Sequence, residues 1–113
     1  MSDNTFLPEN LVDLSKLQAA TGGNSDFMNK MIDMFVQDTP PQLADLKIAL
    51  DNGDYEIVSG IAHKLKPSVE MMSCNELGVL IRKVESQEGD NPESDADLLV
   101  ESIERLITQL YKL

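Results

Sequence analysis

The sequence is poor in side chains that build metal sites and disulfides, since it has one histidine, His63, and one cysteine, Cys74. One of each cannot form a Cys/His zinc site. The Glu-x-x-His pairs of di-iron helix bundles are missing because Gly60 stands three residues before His63. A lone cysteine cannot form an internal disulfide, which is typical of proteins in a reducing compartment. We therefore expect a cytoplasmic protein with no metal and no cofactor.

Several recognisable functional motifs are also missing. The sequence contains no GxxxxGK[ST], GxGxxG or GxSxG, so nucleotide-binding loops and nucleophile elbows are not supported. No apolar run approaches the ~18 residues of a transmembrane helix, and the N-terminal MSDNTFLPEN lacks the parts of a secretion signal. The acidic stretches 51–54 and 90–101 resemble calcium loops. In the second, however, Pro92 and Asp95 occupy positions unsuited to such a loop. We predict that both stretches are solvated loops.

Positive charge is scarce. The chain has 9 lysines and arginines against 20 aspartates and glutamates, a formal net charge of −11. Such a surface repels nucleic acid and anionic lipid. With 113 residues, of which 42% are hydrophobic, the sequence predicts one folded domain over residues 1–113.

Apolar residues recur at helical spacing in five segments, and no segment keeps the alternation of a half-buried strand. The pattern predicts an all-α fold, an antiparallel up-down four-helix bundle with an additional short N-terminal helix. Its apolar stripes can cover one another, which favours a monomer. The first three predicted helices run from Pro8 to Ala20, from a cap at Asn24 or Ser25 to Leu50, and from a cap at Asp54 to Met72. The fourth follows a turn over residues 73–75 and ends at about Gln87, and the fifth runs from a cap near Ser94 to Leu113.

Prolines interrupt the second and third predicted helices. Pro40 and Pro41 must either kink the second helix or break it, with Thr39 as a new cap, and we expect a kinked continuation. Pro67 removes the bond to the carbonyl of His63. The third helix could therefore end at the preceding lysine, but its apolar pattern continues, so we expect a bend there.

His63 is predicted to lie at the middle of the polar face of the third helix. At about 100° per residue, Ile61 and Leu65 fall on the opposite, apolar side. An exposed histidine often has no function, but an outward imidazole also suits a nucleophile that meets another macromolecule. The residues that share the histidine's side are Glu56, Ser59, Lys66, Pro67 and Glu70.

Two features of the neighbourhood favour the nucleophile. Lys64 and Lys66 make a small cationic segment without an acid, which would stabilise a bound phosphoryl group. Ser59, Gly60 and Pro67 are short side chains one turn from the histidine, so a partner surface could approach closely.

Glu85 is the predicted partner of the histidine. Both residues lie eleven positions from Cys74, at the turn between the third and fourth helices, so antiparallel packing places them at similar depth. The glutamate could accept the Nδ1 proton of His63 and leave Nε2 as the nucleophile. The alternative is that Glu85 is one of many solvated glutamates.

The segment AHKLKPS (62–68) resembles the signature of histidine-containing phosphotransfer (HPt) domains, and the likeness covers roughly residues 24–88. The resemblance implies that His63 carries a phosphoryl group between aspartates of receiver domains, in response regulators or hybrid histidine kinases, without kinase activity of its own. It implies that Lys64 and Lys66 steer the transferred group and that Glu85 hydrogen-bonds the histidine. Ser68 matches a small or hydroxyl residue frequent after the motif, whereas Pro67 replaces the usual glycine.

Two other functions remain open from the sequence. The chain could be a helical adaptor with an incidental histidine, whose partner recognises helix surfaces. Separately, Met34 and Met71, if exposed, could form a contact surface on the predicted monomer. The chain could also be a dimerisation fragment of a histidine kinase, although no nucleotide-binding segment accompanies it. The binding surface expected for the phosphotransfer function comprises Ser59, Gly60, Pro67, Ser68 and Glu70.

Overall fold

The computed structural model describes residues 7–113, and within that range the chain is helical and has no strand. The all-α prediction is confirmed. The first six residues lie outside the described residues. The one-domain prediction and the prediction that MSDNTFLPEN is not a secretion signal both include them. The helices are α1 (Ser15–Thr21), α2 (Ser25–Asp51), α3 (Tyr55–Met72), α4 (Asn75–Ser86) and α5 (Pro92–Tyr111).

The four long helices form a closed bundle. Helix α2 packs against α3 and α5, and α4 packs against the same two helices, while α1 lies on α2 and α3. Each long helix contributes an apolar side chain that is almost fully buried, and removal of these surfaces from water stabilises the bundle. This confirms the predicted four-helix bundle with a short N-terminal helix. The almost fully buried side chains of the four long helices include Leu46, Leu65, Ile81 and Ile103.

Side-chain caps fix the starts of α2 and α3 where the sequence predicts them. The side chain of Asn24 accepts a hydrogen bond from the Phe27 N–H at 3.0 Å, and that of Asp54 accepts one from the Ile57 N–H at 3.3 Å. Gly53, between α2 and α3, has a φ of 67°, which a residue without Cβ adopts at little cost. The resulting short connection returns α3 along α2.

Both helices continue through their prolines. Helix α2 is unbroken at Pro40 and Pro41, and Thr39 is buried within it, so the alternative of a new cap at Thr39 is wrong. Helix α3 continues through Pro67 to Met72, so the alternative of an early end is also wrong. Buried side chains on either side of these prolines supply packing that offsets the missing backbone donors.

The predicted start of the first helix at Pro8 is wrong, since α1 begins at Ser15. Instead, the preceding residues cross the end of the bundle. The Leu11 N–H donates to Gln109 Oε1 at 2.8 Å, and the Leu11 carbonyl accepts from the Cys74 N–H at 2.9 Å. These distant groups satisfy backbone atoms that a longer helix would have paired internally. We call residues 7–14 the N-terminal strap.

The predicted cap of the fifth helix near Ser94 is also wrong, and so is the predicted solvated loop over 90–101, since α5 begins at Pro92 and Asp95 is buried. The cap is Asn91, whose side chain accepts a hydrogen bond from the Ser94 N–H at 3.1 Å, and Pro92 occupies the first turn. Proline suits this position because its missing N–H would have no helical partner and its φ is already helical.

Packing of the N-terminal strap predicts that Leu11→Ala destabilises the protein. Leu11 is fully buried, so the truncation should lower the free energy of unfolding by about 2–5 kcal/mol, measured by urea denaturation. The matched control is Leu113→Ala, since Leu113 is 72% exposed and its truncation should change stability by less than about 0.5 kcal/mol. Equal effects of the two substitutions would show that the strap does not pack as described.

Candidate functional site

His63 lies on the solvent-facing side of α3, close to α4. Its side chain is 69% exposed, while the neighbouring Ala62 and Leu65 are buried in the core. The apolar face of α3 packs in the core, and the imidazole, on the opposite face, therefore points outward. Nδ1 contacts Glu85 Oε2, and Nε2 has no hydrogen-bond partner among residues 7–113.

Glu85 on α4 holds two groups of α3. One carboxylate oxygen contacts His63 Nδ1, and the other accepts a hydrogen bond from Lys66 Nζ at 2.6 Å. The predicted contact between His63 and Glu85 is thus present, and Glu85, 22% exposed at its side chain, is not simply a solvated glutamate. The hydrogen bond from Lys66, followed by that from His63, lowers the pKa of Glu85 below its ordinary value of 4.5.

This protonation state defines which histidine nitrogen is free. An ionised carboxylate can only accept hydrogen bonds, so the proton in the contact belongs to Nδ1 of His63. In the neutral ring, Nε2 then carries the lone pair. Because Nε2 faces solvent, the site presents a nitrogen nucleophile to a visiting molecule.

The residues expected to form the binding surface lie in different parts of the structure. The Ser59 hydroxyl donates to the Glu85 carbonyl and ties α3 to α4, while Gly60 is exposed and leaves open space at its Cα. Glu70 pairs with Arg82 Nε at 3.3 Å, which turns it toward α4. Pro67 is exposed on the side of α2. The structure therefore does not bring all of these residues onto one face.

Two grooves flank the histidine. The first, about 830 Å³, lies between α3 and α4, and most of the residues that line it are of polar or charged type, among them Ser59, His63, Arg82 and Glu85. The second, about 380 Å³, lies between α2 and α3. Ser68 and Pro67 line this second groove rather than the first. Its apolar walls include Met31, Met34, Phe35 and Met71.

Charge is distributed unevenly between this site and the remaining chain. Helices α3 and α4 together carry four basic and four acidic residues, so they have no formal net charge although the whole chain carries −11. Lys64 is exposed and makes no ion pair within residues 7–113, unlike Lys66. A negatively charged group approaching His63 therefore meets less repulsion there than elsewhere on the protein.

In residues 7–113, no three histidine, cysteine, aspartate or glutamate side chains are grouped to hold a metal ion. None of the five described helices is both long and apolar enough to cross a membrane.

Sequence reasoning missed two contacts of the site, Lys66 with Glu85 and Arg82 with Glu70. The first had a usable signal, since Lys66 lies three residues after His63 and faces the same neighbouring helix. The second depends on the rotation of α4 about its axis, which the apolar pattern defines only broadly. The second groove likewise depends on how α2 packs beside α3.

Comparison with known proteins identifies a family. A family model described as Hpt domain matches residues 30–110, which include α3, α4 and nearly all of α5. No curated protein and no solved structure matches the chain.

The lowered pKa of Glu85 predicts a pH-dependent stability. A carboxyl whose pKa is lower in the folded state stabilises the protein above its unfolded pKa, and that contribution is lost as pH falls through the folded value. Wild type should therefore be more stable than Glu85→Gln well above pH 4.5, and the difference should shrink progressively below it. Urea denaturation across this range measures the difference.

The matched control for this experiment is Glu101→Gln on α5. Glu101 is exposed and has no ion pair within residues 7–113, so its substitution changes the net charge equally without removing such a contact. A wild-type advantage over Glu85→Gln that persisted unchanged at the lowest pH would contradict the assigned hydrogen bonds.

Proposed function

Because the chain belongs to the Hpt domain family, whose members carry out histidine phosphotransfer in phosphorelays, we propose that it is a phosphorelay carrier. His63 accepts a phosphoryl group from an aspartate of one receiver domain and passes it to an aspartate of another. The receivers belong to response regulators or hybrid histidine kinases. The observation that carries the proposal is the exposed imidazole, with Nδ1 bound by Glu85 and Nε2 facing solvent.

The forward step needs no proton acceptor. The Nε2 lone pair of His63 attacks phosphorus of the receiver's aspartyl phosphate, an N–P bond forms, and the acyl O–P bond breaks with its electron pair returning to the receiver carboxylate. The Nδ1 proton stays in place, so the phosphorylated ring gains a positive charge. The Glu85 carboxylate lies against that nitrogen and stabilises the charge as it develops.

The second transfer is the reverse of the first. A receiver carboxylate attacks phosphorus, the N–P bond breaks, and its electron pair returns to Nε2. Both directions depend on placement of the reacting atoms in line and on neutralisation of charge. The receiver supplies a magnesium ion with its acidic ligands, and this chain supplies the histidine, so it has no kinase activity of its own.

The surface around His63 supports docking of another protein. Gly60 is open to solvent one turn before the histidine, and Pro67 is compact and exposed one turn after it. Proline in place of the family's usual glycine keeps the surface low but restricts the backbone, so we propose that it affects partner choice and rate. The carrier acts as a cytoplasmic monomer, consistent with one cysteine and a bundle that covers its own core.

A helical adaptor is the second candidate function. The observation that favours it is the groove between α2 and α3, whose exposed Met34 and adjoining Met31 and Met71 offer an adaptable apolar surface to a protein partner. An adaptor would bind its partner through this groove without any phosphoryl transfer. Loss of the His63 imidazole would then leave its function unchanged.

Phosphotransfer predicts the result of His63→Gln. Incubated with radiolabelled phospho-receiver, wild type should acquire acid-labile, alkali-stable phosphate, as expected for an N–P bond, and the variant should acquire none. The exposed Asn29→Gln on α2 is the control, and it should label as wild type does. Circular dichroism should show both variants folded, because both side chains are exposed.

The outcomes of this experiment separate the candidates. Label that persists in His63→Gln would place phosphorylation on another residue. Failure of wild type to label with any of several phospho-receivers, together with their unaltered binding to His63→Gln, would favour the adaptor.

A further inference from the structure

We infer that the two lysines beside His63 have different roles in the proposed phosphotransfer, on which this inference rests. Lys64 is the cation that meets the phosphoryl group. Lys66 is a positioning residue that acts through Glu85. One residue separates the two lysines in the sequence, but they differ in ion-pair partner, in exposure of the side chain and in the side of α3 on which they lie.

Lys66 is committed to Glu85. Its Nζ lies 2.6 Å from Glu85 Oε1, and its side chain is only 27% exposed. A lysine and a carboxylate in contact have nearly no net charge, so their combined field falls off faster than that of one ammonium. At Nε2 of His63, on the far side of the ring from Glu85, this pair therefore contributes little to neutralising an incoming phosphoryl group.

Phosphorylation would not release Lys66. When Nε2 takes the phosphoryl group, the ring becomes cationic and its contact with Glu85 through Nδ1 strengthens. To reach the phosphoryl oxygens, Lys66 would have to leave a carboxylate that is itself only 22% exposed. The stable arrangement keeps Lys66 on Oε1, where it fixes the direction in which Oε2 faces the histidine.

Lys64, unlike Lys66, is not held by a carboxylate within residues 7–113. It is exposed and has no ion pair or hydrogen-bond partner from its side chain within residues 7–113. On α3 it lies about 100° from His63 toward α2, whereas Lys66 lies about 60° away toward α4. Its ammonium, on a flexible four-carbon stem, can approach a group on Nε2 without breaking an existing contact. Its full charge is therefore available to the transferred group.

Rates of transfer from a receiver domain phosphorylated by acetyl phosphate test this division. The variants are Lys64→Ala, Lys66→Met and Glu85→Gln, with each lysine substitution repeated in the Glu85→Gln background. Lys64→Ala should slow transfer about tenfold, and by the same factor in both backgrounds. Lys66→Met should slow transfer in the wild-type background and have little further effect when Glu85 is already replaced.

Three controls refine the kinetic result. Lys64→Arg should restore most of the rate because it retains the charge, and the ratio of wild-type to Lys64→Ala rates should fall as salt is raised. Lys30→Ala removes an exposed lysine that lines neither groove and has no ion pair within residues 7–113, so it should transfer at the wild-type rate. Equal slowing by Lys30→Ala and Lys64→Ala would overturn the role of Lys64 as a local cation.

The tautomer of His63 provides a readout that does not depend on a receiver. Nitrogen NMR of the ring should show an increased Nε2–H population in Lys66→Met, because Glu85 is less firmly held, and no change in Lys64→Ala. Unaltered tautomers in Lys66→Met would overturn the positioning role.

Failure of this inference differs from failure of the proposed function. If wild type accepts no phosphate, the carrier function fails and the role of Lys64 fails with it, while NMR still decides the role of Lys66. If wild type is active but Lys64→Ala transfers normally, or Lys66→Met slows transfer equally in both backgrounds, the carrier stands and the division of roles is wrong.

Discussion

The site depends on one carboxylate shared by two partners. Glu85 uses separate oxygens for His63 Nδ1 and Lys66 Nζ, and the Ser59 hydroxyl binds its backbone carbonyl. Three residues of α3 are thereby fixed to one residue of α4. The orientation of the imidazole, the identity of its protonated nitrogen and the direction of Lys66 all follow from this contact. Without it, the histidine would be an exposed side chain with free rotation.

The surface around His63 also differs in net charge from the rest of the protein. Helices α3 and α4 are formally neutral in a chain of −11, although several of their cations are already paired. The neutral region lowers the cost of approach for an anionic group, and the surrounding negative charge discourages unrelated polyanions from binding. The contrast thus arises because acidic and basic residues balance on α3 and α4, whereas acidic residues are in excess on the rest of the chain.

Much of this arrangement could be predicted because it depends on local patterns. The caps Asn24 and Asp54, the outward direction of His63 and its depth relative to Glu85 follow from short-range chemistry and helical periodicity. The strap could not be predicted, since the partner of the Leu11 N–H is a side chain 98 residues away. A helix and an extended segment satisfy the same backbone groups, and only tertiary contacts decide between them.

The order of the site along the chain has a consequence for how it forms and how it tolerates change. His63 and Glu85 are 22 residues apart and are joined by a tight turn at the end of α3, so one helical hairpin contains every polar contact that the imidazole makes within residues 7–113. Closing so short a loop costs little chain entropy and favours early assembly. The remaining helices shield the hairpin's apolar side, but their connections can lengthen without moving His63, since doubling a flexible loop costs only about 0.6 kcal/mol.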